Sequence, residues 1–515
     1  MLRKIKNILR AARNQGDKTY ESKIVDASYE KNERLSSSLK KNIDNIRKTF
    51  GDSDDLQIRK IPGGSVYNFV LIFIDGLVKE DDLNEFILKY FSFKNKESTS
   101  FKEIIINSNL PVTSIHEVQD YSDIIAHILN GLSILMIEGS NTAYALDYIC
   151  FNKRSITDSN LEKNLRGPRE AFIEDIKTNL ALLRKRIKSR NFQVDKLTIG
   201  SRTNTDVAIV YIRDIVNLDI VNEVKSRLVN INYDDVQDST YLAHLISDNP
   251  ITIFPLMAPT EKPDKVSSSL LNGRIALLSD NSPTAILLPS VFTDFLHVQD
   301  DFYERFYSAF ASRVIRYIGA FLAVFSTPIY IALTAVNVDM LPTKLAIPFS
   351  QVRYVVPFPL IVEALIMEIT LEVLREAGLR IPNPIGPAIS IVGGLVVGQT
   401  AVNAGLISPF LTIIVALSAI GSFTVTSVDL VTSLRIIKFL FIISSGVFGL
   451  FGLGASVSLL IIHSCSLTSF GVPYLAPFSE TSIKDAFNSI FRKPFIIDFE
   501  RNRYYRIKNE TRVKK

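Results

Sequence analysis

The sequence predicts an α/β soluble N-terminal half, built of two α/β lobes, followed by an α-helical polytopic membrane domain. Three observations predict it. The long runs without Asp, Glu, Lys or Arg all lie after Arg316, and a helical span needs roughly 20 apolar residues. Before Arg316, strand-like apolar runs alternate with segments of helical period, the pattern of α/β layers. The chain, at 515 residues, exceeds one ordinary domain.

Residues 1–60 read as a basic, partly disordered arm. They are poor in aromatics, and residues 1–50 hold 13 Lys/Arg against 6 Asp/Glu. No apolar core of a signal peptide follows the basic start. Order is expected from Ile61, in a first lobe over 61–155. There Tyr67–Ile74 is a buried strand ended by Asp75-Gly76. Helices follow over 81–90 and 120–130, and strands over 132–137 and 142–148 flank the turn at 138–141. A second lobe covers 156–312. Pro168 suits a first helical turn, and Ile173, Ile176, Leu180, Leu183 and Ile187 continue at helical spacing. Strands are expected over 197–200 and 206–212, and a helix over 215–228. A second helix runs from Lys262-Pro263-Asp264 to Leu271, and a hairpin pairs 274–278 with 284–288. No internal repeat is visible.

The transmembrane domain is expected over 313–480. Its first span, 317–338, is charge-free, is flanked by Arg313 and Arg316 on the cytoplasmic side and carries a kink at Pro328. The helix over 360–376 places Glu368, Glu372 and Glu376 on one face, with Glu363 nearly opposite. Two readings stand: an interfacial, amphipathic helix with a wet acidic face, or a re-entrant, mouth-lining helix whose carboxylates attract cations. From Ile381 to Val428 there are 48 residues without a formal charge. Ser408-Pro409 divides them into spans at 385–407 and 410–428. The last span, 439–463, carries Gly446, Gly449, Gly452 and Gly454 as a thin packing face, and His463 marks its water interface. Residues 481–515 form a basic cytoplasmic tail. Basic ends on the cytoplasmic side require an even number of crossings, which four spans satisfy.

Little in the chain is catalytic. The five histidines lack metal-ligand spacing, and no P-loop, nucleophile elbow or dinucleotide fingerprint occurs. Cys150 and Cys465 lie far apart and build neither a disulfide framework nor a zinc site. The reading is not an enzyme, with no cofactor and no metal. Nucleic acid is not an expected partner, because no basic patch interleaved with aromatics occurs on a recognisable fold. The membrane half is more specific. Val392, Val396, Gln399 and Asn403 step by 4, 3 and 4, forming one stripe, with Gly394 and Gly398 on the opposite side. Three readings stay open for this stripe: pore lining, hydrogen-bonding glue between helices, and a lipid-facing surface.

Four passages carry a family resemblance: NLRGPREAF (164–172), LTIGSRTNTD (197–206), FPLMAPTEKPD (254–264) and IVGGLVVGQTA (391–401). On these, the chain resembles the A subunit of the GerA-type spore germination receptors, over about residues 55–500. The resemblance implies a multi-pass protein of the spore inner membrane, its soluble domain and tail on the core side. It implies partners as well: a transporter-like B subunit that binds germinant, a lipoprotein C subunit, membrane lipid, and further copies of itself in a ring. The ring would conduct cations when germinant binds. A secondary transporter subunit and a membrane-anchored signalling scaffold are the alternatives; four spans without an inverted repeat speak against the first.

Overall fold

The structure is a computed structural model. It describes residues 34–63, 67–78, 83, 114–148, 162, 166–380, 398–479, 486, 489–492, 494 and 498–512. The chain divides into two compact units, residues 1–152 with 188–190, and residues 153–187 with 191–515.

The first unit begins earlier than its sequence suggests. Residues 34–60 are not an arm. They form a helix, α1 (Leu39–Phe50), and most of a strand. Leu39, Ile43, Ile46 and Phe50 repeat at helical spacing and are all buried, so this charged segment folds through one narrow apolar stripe. Gly51 closes the helix at φ 66°. Five strands follow: β1 (Leu56–Gly63), β2 (Tyr67–Ile74), β3 (Ile115–Val118), β4 (Ser133–Ile137) and β5 (Ala143–Leu146). Helix α2 (Tyr121–Leu129) stands between β3 and β4. The sheet is antiparallel, in the order β1-β2-β4-β5-β3. The helix expected over 81–90 lies almost wholly outside the described residues, as does the basic start of the chain.

The second lobe has the same plan. Helix α3 (Ile176–Arg186) precedes β6 (Phe192–Ile199) and β7 (Thr205–Ile212). Two helices follow, α4 (Leu218–Val229) and the unexpected α5 (Ser239–Ile246). Then come β8 (Ala258–Thr260), α6 (Pro263–Leu271), β9 (Ile275–Ser279) and β10 (Ala285–Leu288). The order is β6-β7-β9-β10-β8, again antiparallel. Pro168 does not open α3. Asp175 caps it instead, accepting from Thr178 N at 3.0 Å.

The two lobes are an internal repeat, contrary to the sequence expectation. Leu129-Asn130-Gly131, Ser140, Thr142-Ala143 and Leu146 recur at one constant spacing as Leu271-Asn272-Gly273, Ser282, Thr284-Ala285 and Leu288. Gly131 and Gly273 both hold positive φ after a nine-residue helix. The fourth residue of α1, Asn42, is buried and reaches back to Ser36 N (3.1 Å) and Ser36 O (2.7 Å). The fourth residue of α3, Asn179, makes the same pair of bonds to Ile173 N and O, at 2.9 and 2.5 Å. A buried amide satisfied twice at the same turn fixes the helix entry in both lobes.

After the second lobe the chain becomes helical. α7 (Phe306–Ile331) continues into a π-turn (Ala332–Val336), four residues beyond Pro328. It starts eleven residues before the expected span, so Arg313 and Arg316 lie within it. α8 (Thr343–Tyr354), α9 (Leu360–Arg380), α10 (Pro409–Phe423) and α11 (Val428–Ser466) follow. By length and composition, Phe306–Val336 and Val428–Ser466 are long and apolar enough to cross a membrane. Two further corrections apply. α10 has only 15 residues, and α11 begins before Asp429, Arg435 and Lys438 rather than after them.

α11 is also a hairpin of two helices. Ser433 Oγ donates to Ile253 O at 2.5 Å, and His463 Nε2 lies 3.1 Å from Thr252 Oγ1. In a straight helix Ser433 and His463 would be about 45 Å apart. The chain reverses at Gly449, at φ 62° and ψ −142°, a backbone conformation that only glycine adopts readily. Asn337 Oδ1 accepts from Leu450 N at 2.9 Å and holds the turn to the end of α7. His463 therefore sits against the second lobe, stacked on Phe254. The tail returns to the same lobe. Lys508 N donates to Ile215 O, Tyr505 is buried, and Phe491 stacks on Phe310 of α7 at 4.5 Å.

A Cβ at position 449 would sit 2.2 Å from Asn337 Oδ1 and 2.8 Å from Val336 Cγ1. Gly449→Ala is therefore expected to destabilise the protein by about 2–3 kcal/mol. Gly454→Ala, with nothing within 4 Å, is expected to be near neutral. Denaturation in mild detergent, followed by circular dichroism, compares the two.

Candidate functional site

The helical bundle is built around buried charges. α9 runs antiparallel to the first half of α11. Along it, Ile361 meets Gly446, Glu368 meets Lys438 and Glu372 meets Arg435. Glu368 and Lys438 are 3% and 6% exposed. Their Oε2 and Nζ are 2.5 Å apart. Thr327 of α7 donates to Glu368 Oε1 at 3.1 Å, and Lys438 Nζ lies 3.3 Å from Ser418 Oγ of α10. Ser418 in turn donates to Ala323 O at 2.8 Å. One network thus joins four helices, each polar group with a partner.

A second layer lies one turn along. Arg435 pairs with Glu372, which also lies 3.4 Å from Arg375. Glu363 faces another way and accepts from Ser408 N at 3.0 Å. The acidic face expected on this helix is therefore not a wet surface. Glu363 is 1% exposed and Glu368 is closed off by Lys438. Glu372 is partly exposed and ion-paired, and Glu376 also has partners. Sequence reading missed Arg435 and Lys438, whose spacing matches that of Glu368 and Glu372 across the helix pair.

Gly446 packs closely against Ile361 of α9, as its place in the expected packing face implies, and two glycines outside that face do the same between α7 and α10. A Cβ on Gly319 of α7 would meet Thr424 Oγ1 and Gly421 O, and one on Gly421 of α10 would lie 2.6 Å from Gly319 O. α7 and α10 touch backbone to backbone there. Of the candidate stripe, Val392, Gly394 and Val396 lie outside the described residues. Gly398, Gln399 and Asn403 fall on a helical stretch at 398–403. Gly398 is buried toward Thr412 of α10, and Gln399 and Asn403 are exposed. A Cβ on Gly398 would make an ordinary 3.7 Å contact, so glycine is not sterically required at that position.

Where α7 leaves the second lobe, Asp301 collects two arginines. Arg313 Nε lies 2.9 Å from its Oδ2, and Arg316 pairs with both of its oxygens. Arg492 of the tail binds the carbonyls of Asp301, Phe302 and Glu304. His297 lies beside this knot, edge-on to Tyr317, and its Nε2 is buried without a hydrogen-bond partner among the described residues. Burial, and then the guanidiniums of Arg313 and Arg316, hold its pKa well below the ordinary 6.5. Among the described residues no cluster of His, Cys, Asp and Glu could hold a metal ion.

Residues 44–504 match the family model described as Bacillus/Clostridium GerA spore germination protein. The chain belongs to the GerA family. Spore germination protein KA of Bacillus subtilis (strain 168) is 38% identical over 91% of this chain and 86% of its own length. Spore germination protein A1 of the same organism is 39% identical over 86% of this chain and 91% of its own. Another GerA relative there is named an uncharacterized membrane protein, YfkQ, at 34% identity over 88% of this chain and 89% of its own. Among solved structures, the N-terminal domain of the A subunit of the Bacillus megaterium spore germinant receptor GerK3 is similar. It is 27% identical, covers 50% of this chain and 97% of that one, and has a TM-score of 0.39.

Removing one partner of the buried pair leaves a charge without compensation. Glu368→Gln or Lys438→Met alone is expected to cost about 3–5 kcal/mol. The double variant Glu368→Leu/Lys438→Met is expected to recover much of that loss. A double-mutant cycle by denaturation in detergent measures the coupling. His297 gives a pH test. Its folded pKa is depressed, so the unfolded state alone binds the proton once pH falls below 6.5. Stability is therefore full above that pH and drops below it, by up to about 1.4 kcal/mol per pH unit. His297→Gln is expected to flatten that part of the stability profile between pH 7.5 and 5.

Proposed function

We propose that this protein is the A subunit of a nutrient germinant receptor in the spore inner membrane, and that copies of it form a ring that conducts cations when germinant binds the complex. A transporter-like B subunit and a lipoprotein C subunit complete that receptor in our reading. Membership in the GerA family supports the receptor role. The observation that carries the conduction role is the orientation of residues 398–403. The glycine side is turned to α10 while Gln399 and Asn403 are open. Val392 and Val396 continue the same stripe in sequence and form an apolar constriction in this proposal.

The bundle is read as polytopic, with its crossings running alternately in opposite directions. α7 and α10 are antiparallel, since Gly319 meets Gly421 and Ala323 meets Ser418. α9 opposes α11, and α11 doubles back at Gly449. The second lobe and the tail share one side, the spore core side of this proposal. The carboxylates of Glu372 and Glu376 remain the mouth candidates, because they keep exposed surface while Glu363 and Glu368 are buried inside the bundle.

Reconstitution of the receptor in planar bilayers tests the reading. Germinant-dependent cation currents are expected, with Val396→Ala raising the current without germinant by roughly tenfold, a shift of about 1.4 kcal/mol in the gating equilibrium. A saturable, stoichiometric flux would instead indicate a transporter, and no flux a scaffold.

A further inference from the structure

We infer that the second lobe rests on the lipid surface through its loop at 249–253, with the Ile251 side chain inserted at the boundary of headgroups and acyl chains. This rests on the reading of the bundle as membrane-spanning. Ile251 is 91% exposed. Pro250 and Ile253 beside it are exposed as well, and so are Tyr241 and Leu245 on one face of α5, the helix that leads into this loop. His244 of the same face lies within electrostatic range of Asp429, at the start of α11. Single apolar side chains on a surface are ordinary. The place of this group in the fold distinguishes it.

The loop is tied to both limbs of α11. Ser433 of the first limb donates to Ile253 O at 2.5 Å, and His463 Nε2 of the second lies 3.1 Å from Thr252 Oγ1. Asp248, just before the loop, accepts from Thr468 Oγ1 at 3.0 Å and Phe470 N at 2.9 Å, and pairs with Arg227 of α4. Asn249 Oδ1 accepts from Ile251 N at 3.3 Å. These bonds hold the loop through its backbone and its polar side chains. The Ile251 side chain is held outward, almost wholly outside the core.

The same bonds fix the depth of the loop. At 1.5 Å per residue, Ser433 lies about 24 Å before the Gly449 turn and His463 about 21 Å beyond it. The hydrocarbon core is about 30 Å thick. A hairpin this short crosses most of that core only when its base, at Ser433 and His463, lies at the near boundary. The side chains of the first limb agree. Arg435, two residues past Ser433, pairs with the partly exposed Glu372, which also lies 3.4 Å from Arg375. Such charges belong at headgroup level. Beyond them Ile436, Leu440, Ile443 and Val447 form an exposed apolar stripe at helical spacing. Ile251 stands at the lower edge of that stripe, where headgroups begin. The bilayer that takes the hairpin therefore takes this side chain, and gives the lobe a foothold independent of Asp301.

The test uses the full-length protein, carrying Cys150→Ser and Cys465→Ser, in phosphatidylcholine nanodiscs. Ile251→Cys, Ile443→Cys and Leu459→Cys are each labelled with an environment-sensitive fluorophore. Arg202→Cys is the aqueous reference, on the exposed β6–β7 turn at the other end of the sheet from Ala258. The label at position 251 is expected to shift its emission to the blue and to lose intensity to lipid spin-labelled high on the acyl chain. Labels at 443 and 459 are expected to be quenched by lipid too, and the label at 202 by iodide alone. Unlabelled Ile251→Cys is expected to react with a charged thiol reagent roughly tenfold more slowly than Arg202→Cys, because apolar surroundings disfavour the reacting thiolate. The inference is overturned if position 251 behaves as 202 does while 443 or 459 is quenched by lipid; the membrane reading of the bundle then stands. If none of the three is quenched by lipid, that reading fails and this inference with it. Protection of position 251 from both lipid and iodide would reveal a protein surface there and overturn the inference as well. So would a thiol at 251 that reacts as fast as one at 202, since the fluorophore would then have drawn itself into the lipid.

Discussion

The ion pair of Glu368 and Lys438 sets the arrangement of the helical bundle. At their depth either charge alone would carry a desolvation penalty of several kcal/mol. α9 and α11 must therefore meet at this point or nowhere. Thr327 and Ser418 complete the pair's hydrogen bonding and bring α7 and α10 to the same level. The second pair, Glu372 with Arg435, removes the remaining freedom. A slide of α9 by one turn toward the Gly449 end of α11 would bring Glu372 level with Lys438. It would also leave Glu368 beside Phe441 and Ile442, both buried and apolar. The two acids and two bases fix register, which is the best-attested use of buried charge. Close approach of α7 and α10 at Gly319 and Gly421 then supplies the contact area that the ion pairs alone do not.

The second lobe meets this bundle through another carboxylate. Asp301 neutralises Arg313 and Arg316, both on the first turns of α7, while the Arg492 fork closes over the carbonyls around it. The tail returns on this side, where Arg274 pairs with Asp294 and lies over the ring of Tyr505. Burial, and then the same Arg313 and Arg316 guanidiniums, hold the pKa of His297 well below its ordinary value. Any motion of α7 relative to the lobe must break the Asp301 bonds or carry the lobe with it.

Much of the soluble half could be read in the sequence. Tyr67–Ile74 and Pro263–Leu271 fall where β-branched runs and an N-terminal proline put them. α1 was hidden because its mostly polar residues leave an apolar stripe of only four positions. The repeat was present in the letters, as Asn-Gly, Ser-x-Thr-Ala and a leucine at constant spacing. These are scattered, and the intervening residues differ. In the bundle, counting charges misled. The expected span starts at 439, just past Arg435 and Lys438, yet both lie inside α11 and their partners lie on another helix. Pairing is a tertiary fact, and no one-dimensional count contains it. The reversal of α11 was equally hidden. Gly449 stands in an unbroken apolar run among other glycines, and only its dihedrals distinguish a turn from a packing site.

The duplicated lobes separate what folding needs from what it does not. Asn42 and Asn179 make the same two backbone bonds, and Gly131 and Gly273 hold the same positive φ. Those positions answer to the shared frame. Where the copies part, the frame imposes nothing. Leu132 and Arg274 share one position and one degree of burial, but only the arginine brings a charge and an open donor. Gly273, the turn residue beside it, is covered by Ile507 of the tail. The second copy has thus been turned into a seat for the tail and for the base of α7, through substitutions that its fold did not need. Arg274 bonds Ser290, pairs with Asp294 and lies over the Tyr505 ring, so the charge that stands where the first lobe has Leu132 is what holds the tail to this lobe.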